Sequence, residues 1–367
     1  SNDKNQIYFC DGLTEEIINA LSKLSSIFVI APNSMFTYKG KTVEVRRVSE
    51  DLGVRFVLEG SVRKDENRVR ISARLIDAID GQRVWSERYD REFKDIFQLQ
   101  DEIALEITTA MQIHITEGET ARNRFQDVSD LQNYLKALKI MEYINRNTKE
   151  SNILAQIEVK KIRTMHSERV QAHVLLGVIY TQGIQLGACE SDLICIGKAT
   201  EATRKALAIA PNNSDAHFLA SYLFIVRKEY DNAIVEAKNA IMLNPNNSEA
   251  YATLGLGLLF TNRSSEAIAS FKKAIRLDPI PPVVYLFNLG WAYRISKQYE
   301  DAIDTFEKCL RRQSDFWSAY TGLALSYYFL GRDKEARAAA KEVHNLNPDF
   351  SIRMFKKGSP FKNQAVI

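Results

Sequence analysis

Gly40, Lys41 and Thr42 are the residues with which a phosphate-cradling loop ends, and a glycine five positions before Gly40 would complete the phrase. That position is Met35, so no phosphate loop is expected. The histidines His114, His166, His173, His217 and His344 share no metal-ligand spacing, and helix-packing roles are expected for His173 and His217. Among Cys10, Cys189, Cys195 and Cys309 no pair is separated by two residues, the spacing of zinc and redox sites. Cys189 and Cys195 are close in sequence, but reduced thiols are expected in a chain long enough to fold without disulfide staples. Arg55, Arg63, Arg70 and Arg74 alternate along two strand-like stretches and therefore share one face of a sheet. An anion or a phosphorylated ligand would bind there; the alternative, preferred here, is a solvated face balanced by Glu59 and Glu87. No nucleophile elbow, no acid pair with a partner base and no glycine-rich dinucleotide turn occurs. No catalytic residue, metal ligand or cofactor is expected.

The elements that carry these residues fall into two regions, as 367 residues suggest. Lysine and arginine number 49 against 46 acidic residues, a balance that argues against a dedicated nucleic-acid or membrane surface. The apolar fraction is 45%, and no apolar run approaches the roughly 18 to 20 residues that span a bilayer, so a soluble, cytoplasmic region is expected. The opening Ser1-Asn2 reads as a tag remnant on an excised fragment.

Before about Gln112 the pattern is mixed. Val54, Phe56, Leu58 and Val62 alternate on one predicted strand, and Val69, Ile71, Ala73 and Leu75 on a second, with Lys64 to Asn67 as the turn. A third strand, QRVWSERYD, follows Asp80-Gly81. Leu13, Ile17, Ala20, Leu21 and Leu24 form one helical stripe, Leu99, Ile103, Ile107 and Ala110 another, and Val45, Val48 and Leu52 a short helix stopped by Gly53. This predicts a small α/β layer domain, a mixed sheet with helices, over residues 1–115. A polar linker over 116–130, a helical region over 131–356 and a tail over 357–367 follow.

The helical region repeats itself. Pro211, Pro245 and Pro279 are 34 residues apart, and Pro348 follows after 69 more. Each period holds two amphipathic stretches, the proline standing where the second stops, with Ser214 and Ser248 offered as caps for the next. Leu176-Gly177, Leu254-Gly255 and Leu289-Gly290 recur at one place in the first stretch. Ala233, Ala267, Ala302 and Ala336 recur in the second, with Phe271 and Phe306 four residues after two of them.

This pattern resembles the tetratricopeptide repeat, a helix–turn–helix unit of 34 residues, cleanly over Ser214 to Pro348 as four repeats. Val170 to Pro211 reads as a fifth with about ten extra residues around GIQLGACESD, Leu131 to Ser167 as a sixth, and Phe350 to Phe355 as a partial cap. The resemblance implies a curved solenoid whose groove is lined by the first helix of each repeat. Phe218, Tyr222, Ala252, Leu256, Phe287, Asn288, Trp291, Arg294, Thr321, Leu325 and Tyr328 fall at or beside those positions. Family members that clamp a peptide carboxylate place Lys and Asn where Phe218 and Tyr222, or Phe287 and Trp291, stand here, so no carboxylate clamp is expected. Phe287, Asn288, Trp291 and Arg294 would instead bind an apolar helix or extended peptide, or else lie buried between first helices. On the binding reading, Trp291→Ala weakens a partner and spares the fold.

The phrases YFCDGLTEEIINALSKL, RRVSEDLGVRFVLEGSVRKDENRVRISARLIDAIDGQRVWSERYDRE and DIFQLQDEIALEI resemble the TolB-like region that precedes tetratricopeptide repeats in bacterial class III adenylate/guanylate cyclases, over Ile7 to about Ile113. Relatives also place that region behind winged-helix DNA-binding domains. The resemblance implies a non-catalytic regulatory and scaffolding region that binds a protein or peptide, including intramolecularly an upstream domain, and modulates that domain's output, nucleotide cyclisation first and transcription second. A homodimer is among its expectations; contact of this region with nucleic acid or membrane is not.

Overall fold

The alternating stretches form three strands, β1 (Phe56–Asp65), β2 (Arg68–Asp77) and β3 (Arg83–Glu92), in the order β1-β2-β3. The computed structural model describes residues 4–92 save 24–26, 42, 66 and 67, isolated positions between 99 and 107, 139–163 save 141, 145 and 147, and 170–353 save 352. The predicted linker and tail lie outside the described residues, as do Leu24, Ala110, His114 and His166. Two compact units are present, Ser1–Leu219 with Leu243–Asn246, and Ala220–Met242 with Asn247–Ile367.

In the first unit every described strand pairing is antiparallel, not mixed, because short connections join consecutive strands and leave no length for a crossover. The first hairpin connection is two residues rather than the four predicted: Lys64 pairs with Val69 and Asp65 with Arg68, so both extend β1. Val54 precedes β1, its N–H bonded to the Ser49 carbonyl. A bulge between Leu75 and Ile76 moves the partner from Trp85 to Arg83.

One face of the sheet carries Val69, Ile71, Leu75 and Tyr89, buried against Phe9, Leu13, Ile17 and Leu21 of α1 (Lys4–Ser22) and against Leu99, Ile103 and Ile107. Both predicted stripes therefore cover the sheet. Glu106 accepts from the Tyr89 hydroxyl at 2.6 Å and from Trp85 Nε1 at 3.2 Å. Burial, followed by the bond to Glu106, raises the Tyr89 phenol above its ordinary range. After α2 (Pro32–Phe36), α3 (Val45–Leu52) ends at Gly53, whose φ of 62° is the left-handed conformation glycine adopts most readily.

The same unit holds α4 (Lys149–Arg163), α5 (Val170–Gln185) and α6 (Asp192–Ile209). In the last two His173, Leu176, Tyr180, Ala199 and Ala206 are buried, the register expected of a fifth repeat. Of the predicted sixth repeat, Ala155 is buried in α4, while most of its first stretch is outside the described residues. Cys189 and Cys195 form a disulfide across the corner between α5 and α6, against the expectation of free thiols. The reason is geometric: the corner brings their Cα atoms to 6.2 Å, within bridging range.

Helix α7 (Ser214–Val226) begins in the first unit and ends in the second, followed by α8 (Tyr230–Leu243), α9 (Ser248–Phe260), α10 (Ser264–Leu277), α11 (Val283–Ile295), α12 (Tyr299–Arg312), α13 (Trp317–Phe329) and α14 (Asp333–Leu346). The caps sit one residue earlier than predicted. Asn213 and Asn247 accept from the amides of Ala216 and Ala250, both at 2.9 Å, and Ser248 is the first residue of its helix.

Within the second unit, Ala267, Ala302, Phe271 and Phe306 are fully buried. A methyl group at Gly255 would come 2.8 Å from the Phe271 ring, and one at Gly290 2.7 Å from Phe306, so the recurring glycine is where the second helix's ring seats. The first helices end in a tight turn with one left-handed residue, Lys228, Asn262, Lys297 or Gly331, at intervals of 34 or 35. At Lys297 the amide bonds back to Arg294 and that of Gln298 to Tyr293, which satisfies carbonyls the helix end leaves open.

Candidate partner-binding groove

The residues predicted to line a groove divide by burial. Trp291 and Arg294 are each 4% exposed, and Thr321 and Ala252 are also buried. Phe287, Asn288, Leu256 and Leu325 are half-buried, and Tyr328 is 64% exposed. Tyr222 is half-buried in the second unit and Phe218 half-buried in the first.

The helix period that places Trp291 beside Phe287 and Arg294 also turns its ring into the stack. Its centroid lies 6.2 Å from Phe287 and 6.3 Å from Phe306, both edge-on. Phe287 in turn meets Phe316, just ahead of α13, at 5.1 Å. Trp291 is therefore packed in the core, the second of the two readings its spacing left open and a correction to its place among the groove residues. The Arg294 guanidinium stacks 4.5 Å over the Trp291 ring, so it too is inside. Burial lowers it to about 10, with Tyr299 acting in the opposite direction. The hydroxyls of Ser296 and Thr321 are buried without a hydrogen-bond partner among the described residues.

The most exposed aromatic surface here is at the end of α13. Tyr328 packs on Phe329, centroids 5.6 Å apart, and Phe329 stacks on Tyr299 of α12 at 5.2 Å and 6°. Both Tyr328 and Phe329 remain largely exposed. This pair is a ledge of aromatic surface that the sequence argument only half anticipated, since Phe329 was not among the predicted lining residues.

Of the predicted arginine face, Arg55, Arg70 and Arg74 are paired with carboxylates. Arg55 bonds Asp77 at 2.7 Å, Arg68 and Arg70 share Asp90 at 2.8 and 2.7 Å, and Arg74 Nε bonds Glu59 at 2.7 Å. Arg70 and Arg68 together hold the Asp90 carboxyl below the usual carboxylate range. Glu59 balances the face as expected, but Glu87 does not. It pairs in register with Ala73, on the opposite side of the sheet, and Asp90, opposite Arg70, takes its place. Arg63 lies opposite Arg70, and no described residue pairs with it. His217 bonds the Pro211 carbonyl at 2.7 Å, and no group of three or more potential metal ligands occurs among the described residues.

Comparison with known proteins places these features. Residues 248–281 and 283–316 each match the tetratricopeptide repeat. Two such repeats lie in the second unit. Residues 2–106, the stretch expected to be TolB-like, match instead the family described as the HilA/YgeH-like transcriptional regulator, second domain. The chain is 42% identical over 179 residues to "Putative adenylate cyclase 3" of Rhizobium meliloti (strain 1021). That alignment covers 49% of this chain and 30% of that relative. Similar solved structures include MamA, at 23% identity over 44% of this chain and 95% of that one with a TM-score of 0.39. Pseudomonas aeruginosa pilF is similar at 17% identity, over 62% and 97%, with a TM-score of 0.47. YrrB, described as a TPR protein with an unusual peptide-binding site, is similar at 15% identity, over 55% and 98%, with a TM-score of 0.39. No helix among the described residues is long and apolar enough to cross a membrane.

Proposed function

We propose that this chain is a non-catalytic regulatory and scaffolding region that binds a protein or peptide through its tetratricopeptide repeats and adjusts an attached output domain, a class III nucleotide cyclase. The observation that carries the reading is the combination of two matched repeats with 42% identity over 179 residues to a putative adenylate cyclase. The candidates for contact in the second unit are Tyr222, Leu256, Phe287, Asn288, Leu325 and Tyr328, extended by Phe329, with Trp291 packed against Phe287 and Arg294 stacked over Trp291; Phe218 is a separate candidate in the first unit. Such a surface suits an apolar helix or an extended peptide, whose aromatic contacts supply much of the energy. The upstream domain of the same protein is the first partner to test, a second copy the next, and the setting is cytoplasmic. Arg55, Arg63, Arg70 and Arg74 are assigned to a solvated face, on which carboxylates among the described residues pair with all but Arg63.

The second reading, the sensor region of a winged-helix transcriptional regulator, draws on the match of residues 2–106. The deciding experiment assays the natural protein that carries this chain, with and without its repeats, for cyclic nucleotide formed from ATP and GTP. Activity that changes when the repeats are deleted supports the proposal. Cyclase activity indifferent to that deletion refutes the regulatory role, and no cyclase activity with salt-dependent DNA binding selects the transcriptional reading.

A further inference from the structure

Asn244 to Asn247 connects α8 to α9, and its phrase nearly repeats the one before α7. Two of its asparagines act locally: Asn244 Oδ1 accepts from the Asn246 amide at 3.1 Å, and Asn247 caps α9. The side chain of Asn246 does something else. Its Nδ2 donates to the carbonyls of Ser22, at 2.9 Å, and Ile27, at 3.1 Å, and its Oδ1 accepts from the Val29 amide at 3.5 Å. These partners stand 217 to 224 residues away in sequence, yet Leu243–Asn246 belongs to the same compact unit as they do.

The side-chain amide nitrogen thus donates to two backbone carbonyls. Ser22 closes α1, where the last carbonyls have no partner inside the helix. Asn246 is 8% exposed and Ser22 5%, so water does not replace the amide there. At the twin turn the equivalent residue, Asn212, is exposed. Turn chemistry alone therefore leaves this asparagine on the surface, and its burial at one of two like turns reflects what it holds.

We propose that Asn246 is a latch, a single side chain that ties Ser22 at the end of α1, and Ile27 and Val29 beyond it, to the turn ahead of α9. A change in that turn's conformation frees Ser22, Ile27 and Val29 from it without unpacking the apolar face of α1, which is anchored separately on the sheet. Coupling between sites is typically on the scale of one or two buried hydrogen bonds. The latch does not depend on what the repeats bind.

The test is tryptic cleavage at Lys23 in the full chain, comparing wild type with Asn246→Ala, Asn246→Asp and the twin-turn control Asn212→Ala. Losing one or two buried hydrogen bonds should speed cleavage by about tenfold in Asn246→Ala. Asn246→Asp should be faster still, because a carboxylate would face two carbonyls, while Asn212→Ala keeps the wild-type rate. Wild-type rates in both Asn246 variants overturn the latch. So does loss of helical circular dichroism in both, which would make Asn246 a requirement of the whole fold, and so does equal acceleration in Asn212→Ala.

Discussion

Phe306 is the ring on which the second unit's packing can be tested most sharply. It is fully buried, with Gly290 of α11 on one side and Gly322 of α13 on the other. A methyl group at Gly322 would come 2.3, 2.5 and 2.7 Å from three of its ring atoms, the nearest about 1 Å inside the ~3.5 Å at which carbon atoms rest. The ring has no room to retreat, because a methyl at Gly290 would come 2.7 Å from the same ring. Overpacking of this kind costs about 1–3 kcal/mol, with three atoms overlapped placing it at the upper end, and alanine's helix propensity returns about 1 kcal/mol. Gly322→Ala should therefore destabilise by about 2 kcal/mol, a fall in melting temperature of about 4–8 °C followed by circular dichroism. Phe306→Leu should recover part of that loss when combined with it. Gly197, inside α6, has nothing within 4 Å of the added methyl, so Gly197→Ala should stabilise by about 0.5–1 kcal/mol. Equal or higher stability of Gly322→Ala, or shifts of the same sign at both glycines, would refute the packing argument.

Three further outcomes are expected. Asp90 titrates below its ordinary range when folded, so it stabilises above the unfolded aspartate value, ~3.9, and loses that contribution as pH falls through the folded one; the stability gap between wild type and Asp90→Asn should thus close on acidification in thermal melts from pH 6 to 3. Thiol titration of the unfolded, unreduced chain should find two groups and four after reduction; in the native chain Cys309, whose thiol burial raises to about 11, should react more slowly than half-buried Cys10. Asn247→Ala should cost about 1 kcal/mol through loss of the α9 cap, and Asn247→Ser should restore most of it in chemical denaturation.

The features legible in the sequence are those that local period enforces. Gly255 and Gly290 seat Phe271 and Phe306 because each helix pair repeats one close approach, and the β2 residues Val69, Ile71, Ala73 and Leu75 are buried because alternation admits no other face. Gly322 escaped because it stands two places earlier in its helix than the recurring glycine. Asn262 is a common left-handed residue, but Lys228 and Lys297 hold the same conformation without the glycine or asparagine that would announce it. The use of Asn246 was hidden for a different reason: its partners are carbonyls of Ser22 and Ile27, backbone groups that every residue possesses. Sequence records the phrase PNNS twice and not which copy will be covered.

The residues predicted to line a groove show where the same ambiguity bears on function. A first-helix aromatic at repeat spacing meets either a ligand or the neighbouring helix, and spacing alone does not separate the two. Trp291 meets its neighbours, with Arg294 stacked over it, so Trp291→Ala would open a cavity and cost about 3–5 kcal/mol. Its effect on partner binding would then be inseparable from its effect on the fold. Tyr328 is the informative residue: at 64% exposed, its replacement by alanine should change stability by no more than about 0.5 kcal/mol. A loss of repeat-dependent regulation in Tyr328→Ala at wild-type melting temperature would place the contact surface on α13, whereas a wild-type melting temperature in Trp291→Ala would overturn the burial argument itself.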